Sequence, residues 1–267
     1  MTTLLHRRYS ARVLRELVDQ APHERATLTD DHRRSLSARF RAVASSDHRR
    51  LDAWLVERAG QVSPGFVWSP LTARRLVGNA AARRVAQGDR SLSAAVADEI
   101  DDQLLRVTSG YARGGSLAYW LSGLSVPVRG LVVAEALNWA SATLEAARHL
   151  EHAWTVAASD AYYDVATART TLRGRRDLIV GSADERVIVR LRSGAPGKSA
   201  GPGLRCDLTI ETLSDHEGRA PTRIIGLWPD AGVCLAVDGT MADLRAGARD
   251  LVRTAVAQRR QRLVLAA

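Results

Sequence analysis

One segment near residue 150 carries side chains of the types found in zinc sites. Glu145, His149 and His152 are spaced at i, i+4 and i+7, which places them on one face of a helix. Imidazole and carboxylate groups at such spacing can bind zinc. Because three ligands on a single helix rarely close a tetrahedral site, the pattern favours solvated side chains near a helix C-terminus.

A second segment, Gly194–Ser199, ends in Gly-Lys-Ser like a phosphate-binding loop. The full pattern needs a glycine five residues before that Gly-Lys, where this chain has Arg192. It also needs a helix directly after the loop, so that backbone amides point at the phosphates. Since Ala200-Gly201-Pro202-Gly203 follows, the sequence predicts a Gly/Pro-rich loop over residues 193–203 and a short helix over residues 204–215.

The strongest chemical signal spreads over three neighbouring segments. Residues 172–180, LRGRRDLIV, indicate a strand with Asp177 at its centre. Residues 187–194, VIVRLRSG, indicate the next strand. A helix with the sequence LRCDLTIETL over residues 204–213 follows a short loop.

This succession resembles the RecB-like branch of the PD-(D/E)XK nuclease superfamily. Members typically have Gly-Arg-x-Asp on one strand, Asp-x-Lys-Thr-Gly on the next, then a Leu-Arg-x-Tyr helix, a hairpin and a closing helix. The resemblance covers the last half of the chain and implies a mixed sheet flanked by helices. It also implies carboxylates that hold divalent ions, which activate water and stabilise the reacting phosphate. Asp177 matches the first-strand acid, and Glu135 corresponds to a glutamate on the preceding helix.

The chain departs from this pattern at three positions. Arg190 replaces the second-strand acid, Arg192 replaces the lysine, and Asp207 stands where the helix has its tyrosine. Arginine stays protonated and cannot act as a base. A fixed cation in place of a metal ligand also repels the metal. The resemblance therefore supports a fold more than an activity.

Three functions remain open. In the first, the protein is an inactive nuclease-like fold that binds nucleic acid, and arginines line the former cleft to hold phosphate. The arginines of that cleft are Arg173, Arg175, Arg176, Arg190 and Arg192. In the second, a divalent-metal-dependent DNA nuclease has a rearranged site. In the third, the fold is a scaffold for a protein partner and its arginines are solvated.

The rearranged nuclease would use Asp177, Glu135 and Glu211 as its catalytic carboxylates, with Asp177 and Asp207 on the metal. Mg²⁺ or Mn²⁺ is then its cofactor, because hard cations prefer oxygen ligands. The other two functions require no cofactor.

Ordinary structural roles compete with these assignments. Asp177 pairs with a neighbouring arginine in that interpretation, and Glu135 is an acid in the first turn of a helix. Arg190 and Arg192 alternate with apolar residues, so they form the solvent face of a strand.

The charge of the chain favours an anionic partner. The formal net charge is +9 and the isoelectric point about 10.6, which predicts nucleic acid, and DNA first. However, Lys198 is the only lysine, and a genome rich in G and C produces arginine without selection for binding. A protein partner or a larger complex therefore stays open.

Composition also bounds the setting of the protein. No apolar run reaches the ~18 residues that a membrane helix needs, and the N-terminus lacks the apolar core of a signal peptide. Two cysteines, Cys206 and Cys234, are too few for a disulfide scaffold. We therefore expect a cytoplasmic protein with reduced, buried thiols and no membrane partner.

Periodicity divides the chain into two regions. Residues 1–130 read as helical, with a third helix that begins near Ser46 or Asp47 and carries Leu51, Trp54 and Leu55. Residues 131–267 read as a PD-(D/E)XK-like core, in which a hairpin over residues 224–237 precedes a closing helix capped by Thr240. The predicted fold class is α/β, with a helical N-terminal part and a mixed sheet flanked by helices.

Overall fold

A computed structural model describes residues 4–43, 49–52, 67–88, 90–165, 170–182 and 184–266. The chain forms two compact units. We call the first, residues 1–63, 151–153 and 159–267, the core unit, and the second, residues 64–150 and 154–158, the helical unit. Residue 130, the boundary expected from the sequence, lies inside the helix Val126–Arg148.

The core unit contains both helices and strands. Its helices are α1 (Ala11–Asp19), α2 (Asp30–Val43), α7 (Ala200–Ser214) and α8 (Met241–Ala266). Its strands are β1 (Leu4–Arg8), β2 (Arg49–Asp52), β4 (Ala161–Val165), β5 (Thr170–Gly174), β6 (Leu178–Val180), β7 (Val187–Leu191), β8 (Arg223–Trp228) and β9 (Val233–Asp238).

The main sheet is mixed and six-stranded, which confirms the predicted α/β class. Five of its six strands belong to the core unit, and they follow the order β1, β9, β8, β7, β6. The strands β7 and β8 run parallel, with Arg190 opposite Gly226, and the helix α7 connects them. The other pairs in this series are antiparallel. Because β7 and β8 are buried along their whole length, both faces of the sheet centre are covered.

A smaller sheet completes the core unit, in the order β2, β5, β4. The helices α2, α7 and α8 pack with this sheet around one apolar cluster, which includes Phe40, Leu172, Ile210 and Leu251. The last helix begins as the sequence predicts, because the Asp243 amide donates to Thr240 Oγ1 at 3.2 Å.

The helical unit consists of four helices and a short strand. The helices are α3 (Pro70–Ala86), α4 (Leu92–Thr108), α5 (Leu117–Ser122) and α6 (Val126–Arg148), and the strand is β3 (Trp154–Val156). Its core is built from small and branched side chains such as Ala81, Ile100 and Val132. Serines cap three of these helices, as Ser69 does with the Thr72 amide at 3.2 Å.

Three sequence expectations about elements were wrong. The single strand predicted over residues 172–180 is two strands of different sheets, β5 and β6, because the chain passes from the small sheet to the main sheet there, and Asp177 lies between the two strands. The third helix predicted from Ser46 is a strand over Arg49–Asp52, because this segment pairs in parallel with Thr170–Arg173 and that pairing overrides the local pattern. Ser46, Asp47, Trp54 and Leu55 lie outside the described residues. The helix predicted from residue 204 begins at Ala200. Its first turn contains Pro202. The helix tolerates this proline because backbone amides in the first turn have no partner within the helix.

Two further expectations concern membranes and thiols. In the described part of the chain, no helix combines the length and the apolar character that crossing a membrane requires. Cys206 and Cys234 are both buried and not in a disulfide, as the sequence predicts. Burial raises the pKa of the Cys206 thiol well above its ordinary value, so this thiol is a packing group.

Candidate functional site

The Gly-Arg-Arg-Asp segment from Gly174 to Asp177 crosses α7 between β5 and β6. A methyl group at Gly174 would lie 3.3 Å from Ile210 Cβ and 3.4 Å from Asp207 Oδ1, so glycine permits this close approach. The Arg175 amide donates to the same Asp207 oxygen at 3.2 Å. The segment is thus fixed on the helix face that carries Asp207.

Asp177 ties this segment to β7. Its carboxylate is 1% exposed, and its Oδ2 accepts a hydrogen bond from the Leu191 amide at 2.9 Å. The Asp177 amide donates to the Val189 carbonyl at 3.1 Å. These two bonds lie on either side of Arg190, so Asp177 holds the C-terminal part of β7 in place.

Arg190 is the largest fully buried side chain of the described residues, with 1% exposure. Its guanidinium forms an ion pair with the carboxylate of Asp207, which is completely buried on α7. This finding corrects two expectations. Arg190 lies neither on a solvent face of its strand nor in a cleft where it would reach a phosphate, because its charge is enclosed with that of Asp207.

Glu211 lies one helical turn after Asp207 and meets a second arginine. Its Oε1 is 3.2 Å from Arg176 Nε, and the carboxylate is 1% exposed. Burial raises the pKa of Glu211, whereas the Arg176 charge acts in the opposite direction. The helix therefore presents two buried acids on one face: Arg190 of β7 pairs with Asp207, and Arg176 of the segment between β5 and β6 pairs with Glu211.

Two more arginines of the expected phosphate site have partners. Arg173 contacts Asp160 Oδ2 with both Nε and Nη2 at 2.7 Å, and Asp160 is only 8% exposed. The Arg192 guanidinium lies over the Trp228 ring, 5.8 Å from its centroid. Burial lowers the pKa of Arg192 to about 10. Both side chains are engaged within the fold and are not presented together to solvent.

Each of the expected catalytic acids has another partner within its own unit. Glu135 belongs to the helical unit, where Arg74 contacts it at 2.8 Å and stacks over Trp139. Asp177 holds a backbone amide and Glu211 an arginine. Over the residues that the structure covers, no group of three His, Cys, Asp or Glu side chains is arranged to hold a metal ion.

The residues therefore do not fit Mg²⁺ or Mn²⁺ in the position that the resemblance implies. Of the two expected metal ligands, Asp207 neutralises Arg190 and Asp177 accepts the Leu191 amide. A divalent cation there would lie beside the Arg190 guanidinium, which repels it.

The side chains of the zinc-like triplet make two pairwise contacts. His149 Nε2 lies 3.1 Å from Glu145 Oε1 within the helical unit. His152 belongs to the core unit, where its Nδ1 lies 3.4 Å from Asp19 Oδ1. The first contact is a local pair on the helix, whereas the second joins residues far apart in sequence, and all four side chains are partly exposed.

The sequence did not indicate that the buried acids of α7 belong to a larger group of charges. Asp160 and Arg186 act electrostatically on Glu211, and Arg186 also pairs with Asp215 at 2.8 Å, but none of these residues carries a motif signal. One signal was available: Asp207 and Glu211 are four residues apart, so a helix places both on one face. Their burial depends on how the sheet packs, which spacing does not give.

No family model matches the chain, and neither a curated protein nor a solved structure does. The class of this protein is therefore described from its fold and its site alone. It is an α/β protein with a mixed sheet flanked by helices, and its core contains paired arginines and carboxylates.

Proposed function

We propose that this chain is a noncatalytic, nuclease-like protein that binds nucleic acid, with DNA as the first candidate. The observation that carries the proposal is the buried Arg190–Asp207 ion pair. It occupies the two positions where the RecB-like pattern has a metal-binding acid and a tyrosine.

The two departures from the RecB-like pattern compensate each other in charge. The strand gains a cation and the facing helix gains an anion, so the two charges compensate each other inside the fold. A lone buried charge would be strongly destabilising. The order of elements from β6 onward supports the same relationship, because two strands, a helix, a hairpin and a closing helix follow one another, with Asp177 directly before the first of these strands.

The binding half of the proposal depends on charge. The net charge is +9, and several arginines of the core are already matched by carboxylates. The excess positive charge is therefore carried by arginines outside this network. Such a surface attracts a polyanion and releases its counterions, without a metal or any other cofactor. A noncatalytic subunit of a larger nuclease complex would have these properties.

A split gel assay tests both halves. Purified protein is mixed with labelled single- and double-stranded DNA in EDTA, Mg²⁺ or Mn²⁺ over a salt series, and each sample is divided between a native and a denaturing gel. We expect a shift that weakens steeply with salt and intact DNA in every metal. Cleavage that needs metal and disappears in Asp177→Asn would overturn the noncatalytic assignment. The absence of any shift at low salt would overturn nucleic-acid binding.

A further inference from the structure

We propose that the exposed face of α8 is the surface that binds the phosphates of nucleic acid; this inference rests on the proposed function. Four arginines lie on that face, and we call them the arginine ladder. They are Arg245, Arg249, Arg253 and Arg260, and all are exposed.

The ladder follows from the spacing of the arginines along α8. Intervals of four, four and seven residues keep side chains on one stripe of a helix. The opposite face is buried, with Leu244, Gly247 and Leu251 against the core. At about 1.5 Å rise per residue, the stripe from Arg245 to Arg260 is about 22 Å long.

The ladder differs from the core arginines in its partners. Across the described part of the chain, Arg245, Arg249 and Arg260 contact no carboxylate, whereas Arg253 lies 3.2 Å from Asp250 on the same helix. Arg173, Arg176 and Arg190 are each paired with a buried acid. Three of the four ladder charges are thus not neutralised by a carboxylate of the described residues and remain available to an external anion.

The distribution of charged and apolar side chains on α8 favours a nucleic acid over a membrane. Helices that lie in a membrane surface expose large apolar side chains beside the basic ones. Among the α8 side chains that the structure describes, the exposed position between Arg253 and Arg260 is Ala257, and the apolar face packs with Phe40 and Ile210 in the core. Each strand of a duplex carries one phosphate per about 3.4 Å of its axis, so a stripe of about 22 Å spans about six phosphates.

The test is fluorescence anisotropy of a labelled, mixed-sequence DNA duplex over a salt series. The ladder variant is Arg245→Gln, Arg249→Gln and Arg260→Gln, since glutamine keeps the helix propensity. The matched control removes the same charge from three exposed arginines elsewhere, as Arg8→Gln, Arg106→Gln and Arg113→Gln. Circular dichroism confirms that both variants fold.

For the ladder variant we expect the slope of log affinity against log salt to become shallower by about 2.7, from about 0.9 per phosphate contact. The control should keep the wild-type slope. Equal losses in both variants, or an unchanged slope in the ladder variant, would overturn the ladder while the protein still binds DNA. No binding by the wild type would instead overturn the proposed function. Ladder-dependent binding to phosphatidylserine vesicles, with weaker binding to DNA, would contradict the choice of ligand.

Discussion

Arg190 on β7 and Asp207 on α7 form an ion pair that is shielded from solvent on both sides. Each residue departs from the RecB-like pattern, and the departures compensate in charge. The Arg175 amide also donates to Asp207, so the carboxylate joins the helix to two separate parts of the sheet region. The pair is therefore a structural element of the core.

Removal of one partner should be far more damaging than removal of both. Arg190→Met or Asp207→Leu leaves an uncompensated buried charge, and we expect each to lose about 3–5 kcal/mol of unfolding free energy. The double variant leaves no charge and should lose much less than the sum. Urea unfolding of the four proteins gives the coupling energy directly. Additive losses would show that the two side chains do not interact.

Asp177 should stabilise the fold through the hydrogen bond that it accepts from the Leu191 amide. Asp177→Ala leaves this buried amide without its acceptor and should cost about 1–3 kcal/mol. Asp177→Asn keeps a carbonyl oxygen and should lose less than the alanine variant. The urea midpoints of both variants measure the effect. Two variants as stable as the wild type would show that the carboxylate is not a structural acceptor.

Glu211 should make stability depend on pH. Burial raises the pKa of its carboxyl above the ordinary value, against the influence of Arg176. Its protonated form therefore stabilises the fold fully below the unfolded pKa of about 4.3, and this contribution is lost as the pH rises through the folded pKa. The Glu211→Gln variant has no ionisable group at this position, so it does not show this decrease in stability as the pH rises.

The unfolding free energy of Glu211→Gln minus that of the wild type should therefore increase with pH above about 4.3. Chemical denaturation at several pH values checks this difference. A difference that decreases over the same interval would mean that Arg176 keeps the carboxylate charged below its ordinary pKa.

Two glycines within helices should respond to alanine in opposite directions. A methyl group at Gly247 would lie 2.2 Å from the Arg205 carbonyl oxygen and 2.4 Å from Thr209 Oγ1, so α7 and α8 must separate. We expect Gly247→Ala to cost about 1–3 kcal/mol through overpacking. Gly130 on α6 has nothing within 4 Å, so Gly130→Ala should stabilise by about 0.5–1 kcal/mol. Thermal melts distinguish the two, and a Gly247→Ala variant as stable as the wild type would contradict the close helix contact.

Local patterns in the sequence predicted much of the α/β core. The hairpin β8–β9, the strand β7 and the capped start of α8 each depend on short-range alternation or on a capping residue. The strand Arg49–Asp52 was missed because it exists through its pairing with Thr170–Arg173, more than one hundred residues later. Such pairing leaves little trace in a local window.

The candidate site was less predictable than the fold. The exchange at Arg190 and Asp207 was visible as two separate departures from a motif, but their contact depends on the distance between β7 and α7. Alternation predicted that Arg190 faces solvent, whereas the helix α7 covers that side of the strand and supplies a carboxylate. Burial of a charged residue on a strand thus needs the tertiary packing.

The most direct test of our proposal that an ion pair replaces the metal site of a nuclease is a Mn²⁺ titration of the full chain. Bound and free Mn²⁺ are separated by electron paramagnetic resonance, with Asp177→Asn as the comparison. We predict no stoichiometric binding and the same titration for both proteins, because Asp207 and Asp177 are already engaged. One tightly bound Mn²⁺ per chain that is lost in Asp177→Asn would contradict the account and restore a catalytic role for these carboxylates.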